Sequence, residues 1–213
     1  MAETAVAATR GYVESFLAED ATLAGARARA AELGCQPIGP AGGATLRFLA
    51  TVLDARAVVE VGTGTGVSGL YLLRGMRPAG VLTTVDAEPE HSRAARQAFA
   101  EAGVRPHRTR LISGDAAEVL PRLTDAAYDL VFCAGTTREY GDYLEEALRL
   151  LRPGGVVCFD HALWRDRVAD PSARDPDTVA IRDLGRTVRD RDDLVPVLLP
   201  VGDGLLAAAY RPA

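Results

Sequence analysis

Residues 57–69, AVVEVGTGTGVSG, constrain the fold more than any other stretch of this sequence. A five-residue strand pattern runs straight into three glycines at alternate positions, Gly62, Gly64 and Gly66, and a helical pattern starts behind them. Glycine suits such a turn because it tolerates positive φ and lets a ligand approach the backbone with no Cβ in the way. Asp86 closes the next strand pattern, 20 residues after Gly66. A carboxylate there can accept hydrogen bonds from ribose hydroxyls. Loop and acid together point to a nucleoside-containing cofactor; a purely structural glycine turn is the alternative.

The rest of the chain alternates in the way such a loop requires. AVVEV (57–61), VLTTV (81–85), RTRLIS (108–113), YDLVFC (128–133) and GVVCFD (155–160) are short apolar runs, suited to strands buried on both faces of a parallel sheet. Helical patterns at 68–76, 89–102, 116–123 and 139–151 separate them. Ahead of the sheet, helical spacing runs over 6–33 and Gly34 is a natural stop. PIGPAGG (37–43) reads as a loop and ATLRFLATVL (44–53) as an amphipathic helix. DPSARDPDTV (170–179) reads as a surface loop entering a helix, and LVPVLLPVGDGLLAAAY (194–210) as two strands about a Gly-Asp-Gly turn. The predicted fold is α/β: a doubly wound, mostly parallel seven-stranded sheet with N-terminal helices and a C-terminal antiparallel hairpin. One domain spans 1–213, with 1–36 as its helical extension.

Composition narrows the function. A net charge of -5 argues against sequence-independent binding to nucleic acid or an anionic membrane, either of which needs a basic face. No run of about 18 apolar residues is present to cross a bilayer. The opening MAETAVAATRGYVESFL carries acids and lacks the basic-then-apolar order of a secretory signal. Cys35, Cys133 and Cys158 are odd in number and far apart, which predicts three reduced core thiols and a cytoplasmic protein. All 24 basic residues are arginine, so no lysine can serve as a base.

Read from Gly64, GTGVSG also satisfies the dinucleotide pattern GxGxxG, so a nicotinamide-dependent reductase is one reading. Three features bear on the choice of cofactor. Glu60 stands inside the strand two residues before Gly62, about 55 residues precede that strand, and LLRPGGVVCFD (150–160) forms a helix–turn–strand phrase. These resemble class I methyltransferases rather than dinucleotide-binding domains, and that resemblance favours S-adenosylmethionine. With EVGTGTGVSGLYL, LTTVDAEPEH, LISGDAAEVLPRL, YDLVF, YLEEALRLLRPGGVV, LWRDRVAD and PVGDGLLAA, the chain resembles the class I, cation-dependent O-methyltransferases of the catechol and caffeoyl-CoA group. The resemblance runs from about Ala21 to the C-terminus.

That resemblance implies a set of cofactor contacts: Ile38 in the loop after the N-terminal helices, Glu60, Gly62, Thr63, Gly64 and Gly66 at the glycine turn, Ser68 for the methionine carboxylate, Asp86 for the ribose, and Asp115 with Ala116 beside the adenine. Simpler roles stand beside these: an apolar anchor for Ile38, a helix-start hydroxyl for Ser68 and a helix N-cap for Asp115.

At the reacting centre the chain departs from the family. There, an aspartate after the fourth strand and an Asp-Asn pair after the fifth hold a divalent cation, and a lysine takes a proton. Ala134 stands in place of the first aspartate, Thr137 in place of the lysine, and His161 in place of the asparagine, while Asp160 remains. One carboxylate with an imidazole is a poor site for a hard cation, so no divalent cation is expected; a softer metal at Asp160 and His161 with Cys133 is the alternative, against which Cys133 falls inside a strand pattern. His161 becomes the candidate base, since an imidazole titrates near neutrality, with Asp160 alongside to orient it. A polar loop residue without a catalytic role is the alternative. Trp164 borders the acceptor pocket in the family, where it can stack on the acceptor or pack the loop. His91 and His107 read as surface residues. The expected protein is a homodimeric O-methyltransferase acting on a hydroxyl of a small, aromatic acceptor; a cofactor-binding protein that has lost catalysis is the second reading.

Overall fold

The structure is a computed structural model and describes residues 2–212. Its frame is a seven-stranded sheet in the order β3-β2-β1-β4-β5-β7-β6, built from β1 (Ala57–Val61), β2 (Val81–Asp86), β3 (Thr109–Ser113), β4 (Tyr128–Cys133), β5 (Leu151–Phe159), β6 (Leu194–Leu199) and β7 (Leu205–Tyr210). The first five strands are parallel, and β7 enters antiparallel between β5 and β6. The predicted sheet and hairpin are both present.

Alternation along the strands sorts the core into two layers. Val58, Leu82, Leu130, Phe132 and Cys158 face one apolar cluster, which also takes in residues of α2 (Ala21–Leu33), α3 (Pro40–Val52), α4 (Val67–Gly75) and α5 (Pro89–Glu101). Val59, Val61, Val131, Cys133, Val157 and Phe159 face the other, with residues of α6 (Ala116–Val119), α7 (Tyr140–Leu150) and α8 (Pro176–Asp190). Helices on both faces explain why the strands read as nearly continuous apolar runs. At the base of the sheet Asp129 ties three elements together. Its carboxylate accepts from the Arg56 and Ala57 amides at 2.7 and 2.9 Å and from Arg152 Nε at 2.6 Å.

Three local expectations change. The helical pattern over 6–33 is two helices, α1 (Ala2–Ser15) and α2. Asp20 breaks it by adopting extended backbone and capping α2 through the Leu23 amide at 3.0 Å. The loop predicted over 37–43 is half helix, since α3 starts at Pro40 with proline in its first turn. Gly43 belongs inside that helix because a Cβ there would lie 2.4 Å from the Tyr71 ring. Finally, β5 begins at Leu151 rather than Gly155, so RPGG is not a separate turn; it lies within the strand at a register shift opposite Tyr128–Leu130.

The N-terminal helix is fastened at its far end. Glu14 accepts from the Ala41 amide at 3.1 Å and from the Gly202 amide at 2.8 Å, joining α1 to the start of α3 and to the β6–β7 turn. Among the described residues no helix is long and apolar enough to cross a membrane.

Candidate active site

Strand order reverses between β1 and β4, and a crevice opens there beyond the carboxyl ends of the strands. A cavity of about 410 Å³ occupies it, lined by the glycine turn, Asp86, the Asp115–Ala116 corner, Ala134 to Thr136, and the 35–38 loop.

The turn is held in place from below. Gly62, Gly64 and Gly66 have φ of 91, 48 and 87°. A Cβ on Gly62 would lie 2.8 Å from the carbonyl of Ala134, whereas one on Gly64 would meet nothing within 4 Å. The first glycine therefore lets β1 and β4 approach, and the second keeps the cavity floor open. Beneath them Glu60 is fully buried, and it sits on a strand face that is otherwise largely apolar. Its Oε2 accepts from the Thr84 hydroxyl at 2.7 Å, and the Thr84 oxygen lies 2.6 Å from that of Thr63. Burial pushes the Glu60 pKa up to about 7; the Ser68 and Thr84 hydroxyls pull it back, and the charge of Asp86 adds to the rise. Its second oxygen, Oε1, has no hydrogen-bond partner among the described residues.

Asp86 ends β2 with its carboxylate partly engaged. Oδ2 accepts from the Gly64 amide at 2.8 Å, and Oδ1 accepts from the Glu88 amide at 2.9 Å and faces His91 Nδ1 at 3.1 Å. Ser68, in the first turn of α4, reaches the same cavity. Asp115 does cap α6, accepting from the Ala117 amide at 2.9 Å, and it also lines the cavity. Ile38 also lines the cavity, buried, with its carbonyl accepting from Arg27 Nη2 at 2.8 Å.

A second cavity, lined by His161, Asp160, Asp203 and Arg165, shares the Gln36–Pro37–Ile38 wall with the first. His161 follows β5 with φ of 54°, and Trp164, Arg165 and Asp166 are also left-handed. Side chains other than glycine rarely adopt that conformation. The β6–β7 turn holds the segment there. Ala162 and Leu163 donate their amides to the Gly204 and Asp203 carbonyls at 3.0 and 2.8 Å, and the Arg165 amide donates to Asp203 Oδ1 at 2.5 Å. The other Asp203 oxygen faces His161 Nδ1 at 3.0 Å. Asp160 accepts from the His161 amide at 2.8 Å, and its buried Oδ2, which has no hydrogen-bond partner among the described residues, stands 3.9 Å from Nε2. Burial raises the Asp160 pKa, with the His161 charge and amide opposing and Asp203 adding. Trp164 meets the imidazole edge-on at 5.9 Å.

The sequence profile of a family described as O-methyltransferase matches residues 14–210. The chain belongs to that O-methyltransferase family. A Mycobacterium tuberculosis protein named as a probable O-methyltransferase is 54% identical over 92% of this chain and 88% of its own length. Among solved structures, the O-methyltransferase TomG of Streptomyces achromogenes, involved in tomaymycin synthesis and crystallised with SAM, is 29% identical with a TM-score of 0.85 over 96% of both chains. An O-methyltransferase of Bacillus cereus in complex with SAH is 26% identical, also with a TM-score of 0.85, over 96% of this chain and 97% of its own.

In this O-methyltransferase chain the expected donor contacts converge on one cavity, with two displacements. Glu60 lies under the turn rather than in the lining, and Gly66 packs back against Ala95 and Phe99. His91, expected on the surface, instead faces Asp86 in the cavity, with Nε2 3.1 Å from Cys35 Sγ. Cys35 is therefore a cavity-wall thiol rather than a core thiol, unlike the buried Cys133 and Cys158. Asp203 was legible only as a turn residue; the signal for its place beside His161 is the antiparallel pairing of β7 with β5. Thr137 turns away to donate to Asp177 at 2.6 Å. Among the described residues no group of three or more His, Cys, Asp or Glu side chains could hold a metal ion. Asp160 has an imidazole where a hard cation needs oxygen, and Ala134 offers none.

Proposed function

We propose that this chain transfers a methyl group from S-adenosylmethionine to a hydroxyl of a small aromatic acceptor without a divalent cation, with His161 as the base. The observation that carries the reading is the clamped imidazole. Asp203 faces Nδ1 at 3.0 Å, which selects the tautomer with its proton there and leaves the Nε2 lone pair free.

The donor cavity has the chemistry for the cofactor. Asp86 suits the ribose, Ser68 the methionine carboxylate, Asp115 and Ala116 the adenine, and the open face of Gly64 a close backbone approach. Glu60 keeps the turn in shape through Thr84 and Thr63. S-adenosylmethionine supplies an electrophilic methyl group on its sulfonium. The chain does the rest: Nε2 takes the acceptor's proton, Asp203 and Asp160 stabilise the imidazolium that forms, and Trp164 edges the ring into position. Ile38 lines both cavities, and its apolar side chain keeps water from the reacting atoms.

The active form in this reading is a cytoplasmic homodimer with no nucleic-acid partner. Tyr12, Phe16 and Leu17 of the α1 end are exposed beside α3, whose outer face carries Phe48 and Val52. An apolar surface of this kind suits a second copy of the chain. Analytical ultracentrifugation finding only monomer would remove that part.

Turnover of a panel of phenols with S-adenosylmethionine tests the chemistry. Activity is expected to persist in EDTA, and His161→Ala is expected to lower kcat by about 100-fold or more with donor affinity retained. Activity that EDTA abolishes and magnesium restores would overturn the metal-free reading. Unchanged turnover in His161→Ala would overturn the base. Donor binding with no turnover on any acceptor would favour the binding-only protein.

A further inference from the structure

Beyond methyl transfer, the donor cavity contains a nucleophile that the reaction does not use. Cys35 Sγ lies 3.1 Å from His91 Nε2, and His91 Nδ1 lies 3.1 and 3.2 Å from the two oxygens of Asp86. Thiol, imidazole and carboxylate stand in line on three separate elements: the loop after α2, the first turn of α5 and the end of β2. We propose that Cys35 is a modification site for small carbon electrophiles, activated by His91, and that its adduct shuts the donor cavity.

The tautomer follows from the partners. Asp86 can only accept from Nδ1–H, so Nε2 presents its lone pair to the thiol. Burial, with the nearby charge of Asp86, raises the Cys35 pKa, so the resting group is S–H and reaction depends on a base at hand. His91 is that base. In attack on a haloacetamide the S–C bond forms as the carbon–halogen bond breaks, halide leaves, and the thiol proton passes to Nε2.

The thiol is fixed in position. Gly34 caps α2 in the left-handed conformation, and the Cys35 amide donates to the Ala30 carbonyl at 2.9 Å. Farther along the loop, Arg27 holds the Ile38 carbonyl. Cys35 is partly exposed toward the cavity, whereas Cys133 and Cys158 are fully buried in the sheet. One of three thiols is therefore accessible. An adduct on it would project beside Asp86 and His91, where the Proposed function seats the ribose; the shut-off half of the proposal rests on that reading.

The test uses iodoacetamide on the full-length protein at neutral pH, followed by intact-mass and peptide mass spectrometry. One adduct is expected, on Cys35, forming at least about 10-fold more slowly in His91→Gln. Thermal unfolding of that variant checks that it is folded, and free glutathione supplies the reference rate. Calorimetry with S-adenosylhomocysteine is then expected to show binding to the untreated protein and none to the alkylated one. Equal rates in wild type and His91→Gln, or a first adduct on Cys133 or Cys158, would overturn the activation. Undiminished binding by alkylated protein would overturn the shut-off. If untreated protein binds no S-adenosylhomocysteine, the donor-site reading itself fails, and the alkylation rates still decide the thiol chemistry.

Discussion

Gly62→Ala and Gly64→Ala separate two demands made on one turn. At Gly62 φ is 91°, beyond the small left-handed region open to L-residues, and a new Cβ would sit 2.8 Å from both the carbonyl carbon and oxygen of Ala134. The backbone conformation costs about 1–3 kcal/mol for a non-glycine residue. The overlap falls on backbone of β4's exit, which cannot swing away like a side chain, and overpacking adds about 1–3 kcal/mol. Together these give about 4 kcal/mol, or a fall in Tm of about 8–16 °C for a chain of this size. At Gly64 φ is 48° and nothing lies within 4 Å of the added atom, so only the left-handed penalty applies. That penalty is about 1–2 kcal/mol, a shift of about 2–8 °C. Scanning calorimetry of the three proteins checks the order, and titration with S-adenosylhomocysteine checks the converse, since Gly64→Ala adds its methyl on the open cavity side. Equal Tm shifts for the two variants would refute the argument that Gly62 is required by strand approach.

Glu60 gives stability a pH dependence near neutrality. Its folded pKa of about 7 lies above the unfolded value of about 4.3, so the folded chain keeps a proton that the unfolded chain loses between them, and stability falls as pH rises through that window. The full loss is on the order of 3 kcal/mol; urea midpoints at about pH 5 and 8 should differ less in Glu60→Gln, and an identical fall in both proteins would place the effect elsewhere. Asp129 acts with the opposite sign: burial pushes its pKa up, but the Ala57 and Arg56 amides and Arg152 outweigh it and hold it low. Its contribution is present above the unfolded value of about 3.9 and is lost as pH falls through the lower folded value. Asp129→Asn should destabilise the protein by about 1–3 kcal/mol at neutral pH and flatten the acid side of the urea-midpoint profile, and a profile unchanged in shape would refute the assignment.

The sheet was legible because its strands carry their burial in their composition. AVVEV and YDLVFC coincide with β1 and β4 residue for residue, and the hairpin flanks its Gly-Asp-Gly as expected. The α1–α2 break was hidden because Asp20 caps a helix without interrupting the run of helix-forming residues around it. The start of α3 was hidden because Pro and Gly usually mark loops, and here close packing on Tyr71 overrides that preference. The glycine turn was readable because its spacing is a local chain property. His91 and Asp203 were not, since each becomes a site neighbour only through a contact across elements: α5 laid over the 35–38 loop, and β7 paired with β5. His161 was singled out because it replaces an expected residue type, although its partner, Asp203, lies 42 positions away.

Glu14 gives the first helix a reach its exposed position conceals. One carboxylate anchors the entry to α3 and the turn that carries Asp203, so the opening and closing stretches of the polypeptide are braced against each other above the imidazole. Cutting away α1 would leave both amides unclaimed at once. Slack introduced at the amino end would then reach His161 by way of the last hairpin, with no change to His161 or Asp203 themselves.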